Sequence, residues 1–159
     1  AVFLASLAEP SRLENIDVSQ LERTLAVGAL SNYILIGAIG PAMAQRGWGR
    51  IVIGSSIGVK FGGGADSFAY ALAHHTSEFF PRRVRDWTAS NVLTNVVRIG
   101  VTDTSLHDAF PDRDLQQRVE LIPLKRAATT AEIADFVTWY GSEHNTYVSG
   151  QTVAISGGE

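Results

Sequence analysis

Apolar runs that alternate with helical stretches are the feature that most limits how this chain can fold. Three of them, GRIVIGSS (49–56), NVLTNVVRIG (91–100) and GQTVAIS (150–156), contain β-branched residues and are bounded by glycine, serine or asparagine. Such runs are typical of strands covered on both faces. A shorter apolar run, AVFLAS, spans residues 1–6. The alternation predicts an α/β fold with a parallel sheet between two layers of helices.

Two long helices are predicted between these strands. The first spans residues 18–46, with Asp17 or Ser19 as its N-cap and Gly47 directly after its end. The second spans residues 67–89 and contains a proline, which should distort it. Both helices are long enough to cover one face of a small sheet.

The last helix carries the clearest start and stop signals. Thr129 and Glu132 form a capping box, and Gly141 ends the apolar stripe that follows. The segment DLQQRVELI (114–122) predicts a shorter helix before it. With no linker or repeat between these elements, residues 1–159 are expected to form a single domain.

Composition excludes several classes of protein. The net charge of −3 provides no field that attracts nucleic acid or anionic lipid. The chain has no cysteine, which excludes disulfides and Cys-ligated zinc and fits a reducing cytoplasm. Its apolar stretches are predicted to be shorter than a membrane span, which needs roughly 18 residues, and no leader is expected before AVFLAS. We therefore expect a cytoplasmic protein with no nucleic-acid and no membrane partner.

One short motif suggests a serine hydrolase. GSSIG (54–58) matches G-x-S-x-G, and Ser56, Asp103 and His144 follow each other in the order of an α/β-hydrolase triad. A nucleophile elbow needs a helix directly after the serine, whereas VKFGGGAD (59–66) intervenes here. The hydrolase interpretation is therefore disfavoured.

The sequence does not clearly indicate a phosphate site or a metal site either. GGGADS (62–67) precedes a helix as a phosphate loop does, but it lacks a Walker lysine and does not directly follow a strand. The histidines have no metal-ligand spacing, so no metal site is predicted. They are His74, His75, His107 and His144.

A tyrosine and a histidine stand four residues apart in SFAYALAHHTSEFF (67–80). Tyr70 and His74 share one helical face, and a basic residue at this spacing can tune a phenol for proton transfer. Histidine, with an ordinary pKa near 6.5, is mostly neutral at pH 7. The pair therefore lacks a permanent positive charge.

Several segments, taken in order, resemble the short-chain dehydrogenase/reductase family, and specifically its C-terminal half. The resemblance places the family's catalytic serine at Ser56 and its tyrosine at Tyr70, and it puts Ile99 where a Pro-Gly motif has proline. It implies a Rossmann-like, doubly wound parallel sheet. The segments are GWGRIVIGSSIG, FAYALAHHTSEF, NVLTNVVRIGVTDT and IPLKRAATTAEIADFVTWYGSEHNTYVSGQTVAISGG.

Three departures from the family pattern bear on function. AVFLAS resembles the family's fourth strand, so the N-terminal nucleotide-binding half is expected to be absent and the sheet truncated. The active-site asparagine maps to Gly28, which supplies no side-chain amide, and the lysine of Tyr-x-x-x-Lys maps to His74. Ser56, Tyr70 and His74 are therefore expected to be vestigial catalytic positions, and no cofactor-binding residue is predicted in this chain.

Three functions follow from this resemblance. The first is a non-catalytic subunit that assembles with an active short-chain dehydrogenase paralogue, which would bind NAD(P), or that forms a homo-oligomer. The second is a fragment or split piece of an NAD(P)-dependent oxidoreductase. The third is cofactor-independent acid–base chemistry that uses Ser56 and Tyr70 with a nearby histidine.

Overall fold

Four parallel strands form the sheet in a computed structural model that describes residues 1–110 and 114–159. They lie in the order β1-β2-β3-β4, which confirms the predicted α/β fold. The first apolar run is shorter as a strand than AVFLAS suggests, because only two of its residues pair with β2. The strands are β1 (Val2–Phe3), β2 (Gly49–Ser56), β3 (Val92–Ile99) and β4 (Thr152–Ile155).

Six α-helices and several shorter helical segments connect the strands. The α-helices are α1 (Val18–Leu25), α2 (Ser31–Gln45), α3 (Phe68–Ser77), α4 (Arg82–Asp86), α5 (Leu115–Glu120) and α6 (Thr130–Tyr140). A π-helical turn, Ala26–Leu30, joins α1 to α2, and 3-10 helices span Ile57–Phe61, Trp87–Ser90 and Ser105–Ala109. The last of these precedes residues 111–113, which lie outside the described residues.

The helix ends follow the local sequence signals. The Asp17 side chain caps α1 by accepting a hydrogen bond from the Gln20 backbone N–H at 3.1 Å. Gly47, with φ of +73°, follows the end of α2 in the left-handed conformation that glycine adopts without strain. The capping box of Thr129 and Glu132 is present at the start of α6. These predictions are confirmed.

The single helix predicted over 67–89 is wrong. α3 ends at Ser77, and α4 begins only at Arg82, directly after Pro81. Proline has no N–H for the helical ladder and disfavours helical backbone at the preceding residue. The proline thus separates two helices instead of bending one.

Two apolar cores lie on opposite faces of the sheet, as a doubly wound fold requires. Successive residues of β2 alternate between them, because strand side chains point to opposite faces. One core contains Ile36, Met43, Ile51, Ile53, Val84, Trp87, Val92 and Val96, beneath α2 and α4. The other contains Val52, Val97, Ile133, Val137 and Tyr140, beneath α6.

The helical stretch Val18–Gln45 is long and apolar enough to cross a membrane by length and composition alone. No charged residue lies between Arg23 and Arg46, so the expectation that every apolar stretch is shorter than a span is wrong here. Core helices of soluble proteins satisfy the same criterion, and Ile36 and Met43 of this stretch are buried against the sheet. The absence of a membrane partner stays a prediction.

Gly40 allows α2 to approach the 3-10 helix Trp87–Ser90 closely. A Cβ atom at Gly40 would lie 2.1 Å from Cζ3 of Trp87, whose side chain is held in the core at 8% exposure. We expect Gly40→Ala to lower the free energy of unfolding by about 2 kcal/mol, because the indole has no free space to enter. Urea denaturation measures the loss.

Gly37, in the same helix, provides the matched control. A Cβ there has no atom within 4 Å, so Gly37→Ala should stabilise the helix by up to about 1 kcal/mol through helix propensity alone. Destabilisation of equal size in both variants would contradict the packing explanation.

Candidate functional site

The predicted site lies where β2 and β3 end. Ser56 is the last residue of β2 and pairs in register with Ile99, the last residue of β3. The Ser56 hydroxyl accepts a hydrogen bond from the Gly58 N–H at 3.1 Å and so caps the 3-10 helix that follows. In open α/β sheets, ligands bind at the carboxyl ends of the strands. The structure therefore places Ser56 at the carboxyl end of the strands, where an active site is expected.

A distant serine holds the first turn of α3. The Ser11 hydroxyl accepts a hydrogen bond from the Ala69 N–H at 2.9 Å, and the Ser11 carbonyl accepts one from the Phe68 N–H at 3.1 Å. Ser67, the residue before the helix, makes no such side-chain cap. Ser11 thereby anchors the turn that carries Tyr70. Sequence analysis missed this residue, because it lies 58 positions from the amide that it caps.

Tyr70 and His74 share a face of α3, as their spacing predicts. Their ring centroids lie 4.4 Å apart with an interplanar angle of 69°, an edge-to-face arrangement. Such aromatic contacts stabilise packing whether or not the pair exchanges a proton. The contact thus fits either a catalytic pair or a structural one, and the surroundings of His74 decide between them.

His74 is buried, with 6% of its surface exposed. Neither ring nitrogen makes a well-formed hydrogen bond to any described residue. Burial lowers the pKa of His74 from 6.5 to about 4, and the opposing effects of the Gly54 carbonyl and the Glu78 carboxylate are smaller. At neutral pH the imidazole is therefore uncharged and supplies no cation beside Tyr70.

Gly28 lies in the π-helical turn, close to α3. A Cβ atom at this position would lie 3.1 Å from the Ala73 Cβ, so glycine allows the two helices to approach. The Gly28 carbonyl accepts hydrogen bonds from the Ser77 hydroxyl at 2.6 Å and from the Asn32 amide at 3.2 Å. The position thus contributes helix packing and a backbone acceptor that side chains already occupy.

A partly buried ion pair lies one turn beyond His74, and sequence analysis missed it. Glu78 accepts two hydrogen bonds from Arg98, at 2.8 Å from Nε and 2.5 Å from Nη2, and one from the Ser55 hydroxyl at 2.7 Å. The Glu78 side chain is 10% exposed and that of Arg98 is 28% exposed. The pair could have been suspected from Arg98, a charged residue inside an apolar strand, because a charge at such a position needs a partner.

The hydrolase triad is not assembled. Ser56 ends β2, whereas His144 lies beside Asn145, whose carbonyl accepts a hydrogen bond from Arg50 at the opposite end of that strand. Ser56 lies six positions after Arg50, which is about 20 Å along the strand. Ser56 and His144 therefore lie near opposite ends of β2.

The glycine-rich segment does not form a phosphate cradle. Its three amides donate to neighbours within the same turn: Gly62 to the Val59 carbonyl, Gly63 to the Gly58 carbonyl and Gly64 to the Ser67 hydroxyl. No N–H of these glycines is left to bind an anion. Within residues 1–110 and 114–159, no group of three or more histidine or acidic side chains is placed to hold a metal ion.

Several known proteins with related sequences are named as 3-oxoacyl-(acyl-carrier-protein) reductases. The family model described as enoyl-(acyl carrier protein) reductase matches residues 1–159. Nodulation protein G of Azospirillum brasilense is 28% identical over 155 residues, which are 97% of this chain and 63% of that protein. The 3-oxoacyl-(acyl-carrier-protein) reductase of Pseudomonas aeruginosa is 35% identical over 130 residues, which are 80% of this chain and 52% of that protein.

Solved structures show the same fold. The crystal structure of a 3-oxoacyl-(acyl-carrier-protein) reductase from Agrobacterium tumefaciens with NADP bound superposes with a TM-score of 0.88 at 25% identity. The match covers 99% of this chain and 63% of that one, so the chain spans about three fifths of the length of these relatives. The whole-length family match and the common fold agree with the motif order around Ser56 and Tyr70. The chain belongs to the short-chain dehydrogenase/reductase family.

Proposed function

We propose that this chain is a non-catalytic subunit that assembles with an active short-chain dehydrogenase. His74 carries the proposal, because it occupies the position of the family's lysine as a buried, uncharged ring. A permanent ammonium at that place would lower the pKa of the Tyr70 phenol, whereas a neutral imidazole does not. His74 thus does not supply the positive charge that the family's lysine would place beside Ser56 and Tyr70.

The residues present do not fit a nicotinamide cofactor. The His74 ring packs against Tyr70 and is closed off from solvent, so it is not placed to hydrogen-bond a ribose. Gly28 offers no side-chain amide, and the amides of the glycine-rich segment are used within their own turn. The proposal therefore includes that the partner subunit, and not this chain, binds NAD(P).

Exposed apolar surface supports the assembly part of the proposal. β1 lies at the edge of the described sheet, and such an edge can pair with another strand. Leu30, Ile34 and Phe79 are exposed along the helices that pack beside Gly28, with Ile34 70% exposed. Apolar surface of this kind is typical of interaction sites.

The test is hydride transfer and nucleotide binding by the purified chain. We expect no oxidation of NADPH with a 3-oxoacyl thioester above background, and no saturable heat of NADPH or NADH binding in calorimetry. An active family member assayed in parallel shows that the conditions support catalysis. Turnover by this chain that disappears in Tyr70→Phe would overturn the proposal.

The partner is tested separately on native material. We expect a stoichiometric complex with a second family member that carries an intact Tyr-x-x-x-Lys motif, seen by native mass spectrometry. A monomer in native material contradicts the assembly, and a homo-oligomer replaces the paralogue with a second copy of this chain.

A split or partial oxidoreductase is the second candidate, and the length comparison favours it. The chain spans about three fifths of its relatives, and the missing segment would pair with β1. Intact-mass measurement of native material decides whether more polypeptide accompanies these residues. If more polypeptide does accompany them, His74→Lys should raise reductase activity at least tenfold. No gain in activity would count against this candidate.

Cofactor-independent acid–base chemistry receives no support from His74. A proton shuttle must exchange its proton with solvent or substrate, whereas this imidazole is buried and stays neutral above about pH 4. Ser56 and Tyr70 alone would have to carry such a reaction.

A further inference from the structure

A cavity of about 310 Å³ lies at the end of the sheet opposite Ser56. Thr94, near the start of β3, and Gln151, directly before β4, line it together with residues that follow α3. Because the strands are parallel, their amino ends lie together at one end of the sheet and their carboxyl ends at the other. The cavity is therefore separate from the site that contains Tyr70 and His74.

A buried hydroxyl group on the cavity wall has no partner among the described residues. Thr94 is 2% exposed, and its Oγ1 makes no hydrogen bond. Its backbone is fully engaged, because the N–H donates to the Ser149 hydroxyl at 3.3 Å and the carbonyl accepts from the Gly150 N–H at 2.8 Å. An unpaired buried hydroxyl is destabilising, and because this oxygen has almost no accessible surface, a ligand in the cavity must find its donors on other side chains.

The pair of Thr88 and Ser149 provides an available hydroxyl proton. Thr88 Oγ1 and Ser149 Oγ lie 3.1 Å apart, so one of them donates to the other. The acceptor of that bond keeps its own proton, because each hydroxyl has one donor and two acceptor positions. The cavity wall thus offers a donor to an incoming oxygen atom.

The wall also combines a cation with an apolar surface. The Arg85 guanidinium lies 5.9 Å from the centroid of the Phe80 ring and forms no ion pair with any residue in the described part of the chain. Phe80 and Val84 provide the apolar side, and no carboxylate lines the cavity. A guanidinium and hydroxyl donors beside an aromatic face are complementary to a small organic acid.

We propose that this cavity binds a small organic carboxylate. The carboxylate lies between Arg85 and the hydroxyls of Thr88 and Ser149, and its apolar body lies against Phe80 and Val84. The volume is at the lower end of the range of about 300–1000 Å³ for ligand pockets, which limits the ligand to a small molecule. The site goes beyond the proposed function, because it uses neither Tyr70 nor a cofactor.

The test uses benzoate as the probe, with the protein in the assembly in which it is purified. Ligand-detected NMR should show saturable binding with a dissociation constant of about 1 mM or lower. Benzyl alcohol, which has the same ring but no charge, should bind at least tenfold more weakly. Inorganic phosphate, which has charge but no ring, should also bind more weakly than benzoate.

Variants distinguish this cavity from other surfaces. Arg85→Gln should weaken benzoate binding at least tenfold, whereas Arg82→Gln, an exposed change in the same helix away from the cavity, should alter it less than twofold. Thr94→Val should raise the Tm of the free protein, because it removes the unpaired hydroxyl. Absence of saturable benzoate binding, equal binding of phosphate, or an unchanged affinity in Arg85→Gln would each overturn the proposal.

Discussion

Glu78→Gln is expected to lower the free energy of unfolding by about 2 kcal/mol, between the losses typical of exposed and of fully buried ion pairs. The change leaves the Arg98 guanidinium partly buried without its counter-charge, and it weakens the hydrogen bond from Ser55. Breaking one side of a buried ion pair is strongly destabilising for this reason. Urea denaturation followed by circular dichroism measures the loss.

An exposed pair in the same chain serves as the control. Arg126 and Glu132 make an equally close bidentate contact, but their side chains are about half exposed. Glu132→Gln should therefore destabilise much less than Glu78→Gln, because solvent screens the charges. The double variant Glu78→Gln/Arg98→Met should recover part of the loss. Equal losses at the buried and exposed pairs would contradict the role given to burial.

Acidification from pH 6.5 to 4 is expected to remove about 3 kcal/mol of stability through His74. Its pKa is about 4 in the folded chain and near 6.5 when unfolded, so between these values only the unfolded state binds the proton. Stability therefore falls as the pH falls, by about 1.4 kcal/mol for each pH unit within this window. Above pH 6.5 the group is neutral in both states and has no effect.

The His74 contribution is isolated by comparing variants at pH 7 and pH 4.5. His74→Phe keeps a ring beside Tyr70 but cannot titrate, so its stability should depend on pH less steeply than that of the wild type. His75→Gln, at the exposed neighbouring position, should retain the wild-type slope. An identical slope in His74→Phe and the wild type would contradict the role given to His74.

Much of the fold was predictable because its signals are local. The β-branched run of β2, the Asp17 cap and the Thr129–Glu132 capping box each depend on residues within a few positions of one another. The break between α3 and α4 was underestimated. Pro81 was recognised as a distortion, but whether a proline bends or ends a helix depends on the packing on either side of it.

The site was predictable only in outline. The order of the motifs placed Ser56 and Tyr70 correctly on β2 and α3, and the i, i+4 spacing predicted the contact with His74. Ser11, which caps α3, and Arg98, which pairs with Glu78, act on residues 58 and 20 positions away. No local pattern connects positions so far apart.

Periodicity, capping and motif order are properties of neighbouring residues, so the sequence alone indicates the α/β architecture, the family and the absence of a lysine four positions after Tyr70. The burial of His74 and its neutral state emerge only on folding. A side chain's pKa depends on the solvent and charges around it, and these come from distant segments brought together by folding. The same folding placed Arg85, Thr94 and Ser149 around one cavity.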